Sequence, residues 1–322
     1  MSNNRCKYCS SSKVKKKGLT KAGIQRWFCH KCRRTWSRVR SAYKAYNPDQ
    51  LFNWWLAGDP IQTIAMHSGL SKSHVQRLLL SRLEQPVNWS QEVLAKCQYA
   101  ALDGKFLFGR RYTVLILYDV VANLPMASKV VSSENRREIT QFLVELKALG
   151  FSPKAVTTDG KGTIAQCFRY VFDGIVAQRC LFHIVLQVNA WIRRPPRSPI
   201  GWQLHSLVSQ LMQVNDHSAV NNFWRQYESI KQTNHTELCR IRSIPDNRQE
   251  RDLLKCFSLL DNAKPDMFNF LYDNCIASTT SGLEGFNKQI QRIRGFDHNG
   301  LTKAHLDMFI RHYIITKWRD TK

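Results

Sequence analysis

The stretch QYAALDGKFLFGRRYTVLILYDVVANLPMASKVV, residues 98–131, together with AVTTDGKG at 155–162, decides how the larger part of this chain folds. Runs rich in β-branched and aromatic residues at Tyr99 to Asp103, Tyr112 to Tyr118 and Pro125 to Val131 are divided by turn-forming residues, which predicts a three-stranded antiparallel meander. A helix is expected from about Glu134 to Leu149. AVTTD then reads as a buried strand ending at Asp159, followed by a helix over about Thr163 to Tyr170, and IVAQRCLFH as a further strand running into a helix. Asp103 closes the first of these strands and Asp159 the fourth, each directly before a glycine. Adjacent strand ends share one rim of a sheet, so this order sets two carboxylates side by side. Asp119, which ends the second strand, competes with Asp103, and spacing alone does not choose between them.

Two carboxylates a few ångströms apart repel one another and are tolerated when they share divalent cations. Mg²⁺ ions about 3.5 to 4 Å apart activate an attacking water or 3′-hydroxyl and stabilise the leaving oxygen of a phosphodiester. A third carboxylate completes such a site. Glu284, in TTSGLEGFNKQIQRIRGF at 279–296, lies on a predicted helix whose apolar face is Leu283, Phe286, Ile290 and Ile293. Glu284, Asn287, Lys288 and Gln291 take the neighbouring side, from which Glu284 can reach the rim. Taken singly each signal is weak: Asp-Gly is more often a turn, and a helix Glu is usually a solvated charge.

Charge points to a polyanionic partner. The chain of 322 residues carries 48 Lys and Arg against 24 Asp and Glu, a formal net charge of +24. Such a field holds nucleic acid by releasing its condensed counterions. Solubility or an anionic membrane would explain charge alone, but the distribution argues against both, since no acidic residue precedes Asp49 while 14 Lys or Arg do. A 43% hydrophobic composition suffices for packed cores. No run of 18 apolar residues occurs, and MSNNRCKYC lacks the apolar centre of a signal peptide, so a cytoplasmic protein is expected. In a reducing compartment, paired cysteines read as metal ligands and Cys97, Cys167, Cys239, Cys256 and Cys275 as small buried hydrophobes.

Cys6 and Cys9 are two residues apart, Cys29 and Cys32 repeat that spacing, and 19 residues lie between the pairs. Two such knuckles complete a tetrahedron of thiolates around one structural Zn²⁺, replacing the core that some 40 residues cannot supply. His30 is not expected to be a ligand, and the intervening residues read as a hairpin. From Asn47 to about Gln85 the pattern turns helical. DPIQTIAMHSGLSKSHVQRLLLSRL offers Ile61, Ile64 and Ala65, a turn at Ser68 and Gly69, a Ser71 cap, then Val75, Leu78 and Leu79 inward. Lys72, Ser73, His74, Gln76 and Arg77 face outward, as on a recognition helix in the major groove. A helical hairpin that merely packs on its neighbour is the alternative.

The motifs LDGKF at 102–106, TTDGKG at 157–162, CLFH at 180–183 and TTSGLEGFNKQIQRIRGF at 279–296 resemble those of bacterial insertion-sequence DDE transposases related to the Mutator-like group. The likeness covers about residues 98 to 312, and the N-terminal ribbon resembles that of variants in the same group. It implies an α/β fold: a ribonuclease H-like mixed sheet core with an all-α insertion, preceded by a zinc ribbon and a helix-turn-helix. It implies Asp103 over Asp119, so that Asp103, Asp159 and Glu284 are the catalytic triad, holding two Mg²⁺ or Mn²⁺ ions. Cys180 and His183 match the family's C-x-x-H pair. With no second pair nearby to complete a zinc site, a structural or substrate-positioning role is expected for them, and Arg179 before them is placed to meet a phosphate. The chain departs from the family at SGLEG, where related sequences commonly place Asn before the acidic residue.

The implied activity is Mg²⁺-dependent cleavage of double-stranded DNA at terminal inverted repeats and strand transfer into target DNA, by a homo-oligomer assembled on DNA. A non-catalytic DNA-binding regulator and a nuclease that cleaves without joining are the alternatives. Asp159 and Glu284 are separated by 124 residues, more than the sheet needs, and IRRPPRSP at 192–199 opens the excess as an inserted helical domain, with Leu204, Leu207, Val208, Leu211 and Met212 at helical spacing and Trp202 and Trp224 as bulk. The expected organisation is a ribbon over 1–40, a helix-turn-helix over 41–92, a core over 93–190 and 276–322, and the insertion over 191–275.

Overall fold

The computed structural model describes residues 5–21, 23–37, 47–107, 111–160, 162–245, 247–292 and 301–319. By its internal contacts the chain divides into two compact units, residues 1–55 with 60–79 and residues 56–59 with 80–322.

In the first unit, β1 (Val14–Leu19), β2 (Gln25–Cys29) and β3 (Thr35–Ser37) form an antiparallel sheet in that order. The hairpin of β1 and β2 follows the sequence reading. The strand β3 was not anticipated; it is three residues long, too short to show a period, and exists because Trp36 pairs across from Trp27. Trp36 is buried with Cys6 and Cys29, and these three are the core of the ribbon. Three helices follow, α1 (Pro48–Leu56), α2 (Ile61–Ser68) and α3 (Lys72–Leu83). Gly69 ends α2 at φ 67°, a left-handed conformation that glycine adopts without Cβ strain. The Ser71 hydroxyl accepts from the His74 amide at 3.3 Å and starts α3. Ile61, Ile64, Ala65, Val75 and Leu79 are buried as expected, whereas Leu78 is half-buried.

After α3 comes a short helix of the second unit, α4 (Gln91–Lys96), capped by Ser90. Its sheet has the order β6-β5-β4-β7-β8, built from β4 (Tyr99–Leu107), β5 (Tyr112–Asp119), β6 (Leu124–Val131), β7 (Ala155–Thr158) and β8 (Val176–Arg179). The first three strands are the antiparallel meander, and β7 and β8 add to β4 in parallel. This is a mixed α/β architecture. Helices α5 (Arg136–Ala148) and α6 (Thr163–Val171) make the connections on either side of β7. The strand β4 runs four residues beyond the expected end at Asp103, because Gly104 to Leu107 still pair with Leu115 to Tyr112.

Both edges of the sheet are covered. On β6, the Val130 amide donates to Asp307 of α13 (Lys303–Arg319) at 2.8 Å, and Trp318 Nε1 donates to the Pro125 carbonyl at 2.7 Å. On β8, Asn269 Nδ2 donates to the Ala177 carbonyl, and buried Gln178 bonds both the Met267 carbonyl and the Phe270 amide. These bonds satisfy backbone groups that an open edge leaves unpaired.

Between β8 and the last strand-covering helices lies a helical cluster: α7 (Leu181–Ile192), α8 (Pro199–Ser209), α9 (His217–Thr233), α10 (His235–Ser243) and α11 (Arg248–Ala263). Leu204, Leu207, Val208 and Leu211 share its core with Phe223, Tyr227, Phe257 and Leu260. The core also takes Leu181, Ile184 and Val188 from α7, so it starts ahead of the Pro-rich segment at 192–199. Trp224 packs against it, but Trp202 and Met212 are about half exposed, since α8 and the turn after it show those positions to solvent. The cysteine reading needs a similar correction. Cys97, Cys167 and Cys256 are buried, whereas Cys239 and Cys275 are exposed, one on the outer side of α10 and one in the loop before α12 (Ser281–Arg292). No helix among the described residues is long and apolar enough to cross a membrane.

Candidate metal centres and carboxylate site

The ribbon brings Cys6, Cys9, Cys29 and Cys32 together, with all four sulfurs within 4.8 Å of one another. Cys6 Sγ lies 3.5 Å from Cys32 Sγ and Cys9 Sγ 3.6 Å from Cys29 Sγ. His30 is not in the group and instead meets the Phe28 ring edge-on. Four sulfur donors close a tetrahedron and leave no open position, so the site is compatible with structural zinc. The thiols do not titrate alike. The Cys32 amide draws the Cys29 thiol down to about 6, whereas for Cys32 the Arg34 amide is outweighed by burial and the neighbouring thiols, which push it up to about 12. Negative sulfurs in one small volume repel, and a cation relieves that repulsion.

On α3, Lys72, Ser73, His74 and Arg77 are exposed and Gln76 is half-exposed, while Val75 and Leu79 are buried. The helix therefore presents a polar and basic stripe without losing its core contacts.

In the five-stranded sheet, register decides which carboxylates meet. The parallel ladder pairs Tyr99 with Ala155, Ala100 with Val156 and Ala101 with Thr157. Asp103 and Asp159 each stand two residues beyond the last pair, on neighbouring strands and on the same side of the pleat. Both line one cavity of about 560 Å³. Asp119 cannot join them. Asp103 pairs with Ile116 and Asp119 with Ala100, so Asp119, three residues past Ile116, leaves the opposite face. There its Oδ1 accepts from the Val121 and Ala122 amides, both at 2.9 Å, and shapes the turn into β6.

The helix α12 lies on the face of Asp103. Its Gly282 sits so close over β5 that a Cβ would lie 2.8 Å from Asn123 Oδ1 and 3.0 Å from the Tyr118 ring. Phe286 packs between Tyr118 and Tyr313, and Asn287 Nδ2 donates to Asp103 Oδ2 at 2.9 Å. Glu284 is one turn earlier. Its Oε1 accepts from the Thr280 hydroxyl at 3.3 Å and lies 3.8 Å from His183 Nδ1, too far for a hydrogen bond. His183 lines the cavity and Glu284 does not. Among the described residues the four cysteines are the only cluster of three or more His, Cys, Asp or Glu ligand atoms, and the three carboxylates do not form one.

Cys180 is fully buried and caps the start of α7, and its sulfur accepts from the Thr280 amide at 3.4 Å and hydroxyl at 3.5 Å. Burial pushes this thiol up, but hydrogen bonds with His183 and Thr280 outweigh it and leave it lowered. The nearby Cys180 sulfur raises the His183 pKa, burial opposes, and Glu284 and Asp159 add to the rise. The C-x-x-H pair thus contacts the residues that hold Glu284 in place. Two glycines complete the rim. At Gly160, with φ 87°, a Cβ would lie 2.8 Å from Arg179 Nε, and Arg179 donates to the Gly160 carbonyl at 2.9 Å. At Gly104 a Cβ would lie 2.7 Å from the Glu134 carboxylate. Burial lowers the Arg179 pKa against the pull of Asp266 and Asp159.

Asn287, Thr280 and Glu134 were not singled out from the sequence as site residues. Asn287 carried a signal, being on the stripe of Glu284, but its partner is distant in the chain. The far wall of the cavity is Ile184, Gln187 and Trp191 of α7 with Leu259 of α11. No family model matches this chain, and no curated protein does.

Proposed function

We propose that the chain is a DDE transposase: it binds the ends of a mobile element through the ribbon and α3, and cleaves and joins DNA at the rim bearing Asp103 and Asp159. The observation that carries this is the parallel register, which sets those two carboxylates at equivalent positions, Asp103 on β4 and Asp159 just past β7, beside a cavity. Supporting it, the sheet has a meander followed by two parallel strands, the order of a ribonuclease H-like core, and α7 to α11 form the all-α insertion. The excess of positive charge suits a polyanion.

Asp103 and Asp159 are hard oxygen donors lining one cavity, which suits Mg²⁺ or Mn²⁺, and Glu284 on α12 is the third donor in this reading. Divalent cations supply charge neutralisation and a more acidic attacking hydroxyl or water. The protein's own part is positioning. Arg179, held across Gly160, offers a guanidinium to a phosphate oxygen. The Thr280 hydroxyl holds Glu284 and Cys180 holds Thr280 in turn, and the apolar end at Ile184, Trp191 and Leu259 accommodates the sugar and base beside the scissile phosphate. The active form on DNA is a homo-oligomer that brings two ends together.

Purified protein incubated with its own element ends, Mg²⁺ and labelled target DNA is expected to give strand-transfer products. Cleavage without joining makes it a nuclease instead, and binding with neither reaction makes it a regulator.

A further inference from the structure

Asn287 is the one polar residue among the buried positions of α12, where Leu283, Phe286 and Ile290 fill the others. It is 2% exposed, and its Nδ2 donates to Asp103 Oδ2 at 2.9 Å. That assignment of the amide follows from chemistry, because an ionised carboxylate can only accept. The orientation leaves Asn287 Oδ1 buried with no hydrogen-bond partner among the described residues. Packing does not ask for this: a leucine of similar volume fits the apolar face without stranding an acceptor. A buried polar atom left unpaired by the fold calls for an explanation, and a water or ion at the site is one.

We infer that Asn287 is a positioning residue with two tasks: its amide nitrogen fixes the Asp103 carboxylate on the side shared with Asp159, and its carbonyl oxygen awaits a water or hydroxyl that enters with a divalent cation. The inference rests on Asp103 and Asp159 being cation ligands. Because Glu284 stands one turn before Asn287, α12 is a rigid ruler that sets Glu284 and Asp103 relative to one another.

The test uses the full chain, Mn²⁺ alone as probe, and two measurements, thermal melting and free Mn²⁺ followed by electron paramagnetic resonance. Asn287→Leu is expected to melt at or above the temperature of the unaltered protein yet bind Mn²⁺ about tenfold or more weakly, as for other partners that orient a ligand. Asn287→Ala, which adds no bulk, gives the same readout should leucine fit poorly. In an Asp103→Asn background neither change weakens binding further. Folded Asn287→Leu and Asn287→Ala proteins that bind Mn²⁺ as the unaltered chain does overturn the inference alone, as does equal weakening in the Asp103→Asn background. Absence of any Mn²⁺ binding sensitive to Asp103→Asn overturns the ligand reading, and the inference with it.

Discussion

A carboxylate on a sheet acts on whatever its side of the pleat faces. Asp103 faces α12 and Asp159, whereas Asp119 faces away and spends its Oδ1 on two backbone amides. Asp103→Asn, Asp159→Asn and Glu284→Gln are therefore expected to abolish cleavage and joining while leaving the binding of element ends intact, because each amide keeps shape but loses charge. Asp119→Ala should do the reverse: activity persists at permissive temperature, while a urea melt shows a loss of about 1 to 2 kcal/mol from the unsatisfied amides. Activity lost in Asp119→Ala but kept in Asp103→Asn would reverse this assignment. At Tyr99 the hydroxyl donates to Asp273 Oδ2 at 2.6 Å, tying β4 to the loop before α12. This bond pushes the tyrosine up to about 12 and holds the Asp273 carboxyl below its usual range. A depressed acid stabilises above its unfolded pKa of about 4 and loses that contribution as pH falls through the folded value. A raised tyrosine stabilises below about 10 and loses it as pH rises toward 12. Tyr99→Phe should flatten the acid and alkaline limbs of the melting profile by the share this pair contributes. Parallel profiles would mean that the bond contributes nothing.

Among elements, the ribbon is the one expected to depend on a ligand for its stability. Its core of Cys6, Cys29 and Trp36 is too small to hold three short strands without a cross-link. One zinc per chain is expected by elemental analysis of reduced protein, and chelation or Cys6→Ser should erase the near-ultraviolet signal of Trp27 and Trp36 while the five-stranded sheet keeps its far-ultraviolet signature. For α3, inner and outer faces should respond differently. Leu79→Ala creates a cavity and is expected to destabilise by about 2 to 5 kcal/mol. Gln76→Ala with Arg77→Ala should leave the melting temperature unchanged and weaken specific binding, with about 1 to 3 kcal/mol lost at one base pair if Arg77 reads it. An unaltered footprint in that double variant removes α3 from the role of reader.

At the scale of the molecule, an excess of 24 positive charges would, under the proposed function, make association with DNA a matter of counterion release. The logarithm of affinity is expected to fall linearly with the logarithm of salt concentration, by about 0.9 per phosphate neutralised. Lys72→Ala should reduce that slope by about one if it meets a phosphate, and leave the preference between sequences unchanged.

Much of this was written locally. The four-cysteine spacing, the meander, the helix start at Ser71 and the apolar stripe of α12 each depend on residues near one another, so period and turn chemistry reveal them. The extra strand β3 escaped because three residues carry no period. Cys239, Cys275 and Trp202 misled because residue type predicts burial only on average, and the rotation of a helix about its axis is set by its neighbours. The sequence by itself determined the strand order, the metal-ready cysteines and the choice of a few acidic residues. Only the tertiary structure decided that Asp119 faces away, that Glu284 lies beside His183 and outside the cavity lining, and that Asn287 holds Asp103. Those facts follow from pairing register and helix docking, which are contacts between residues far apart in the chain, and no local pattern encodes them.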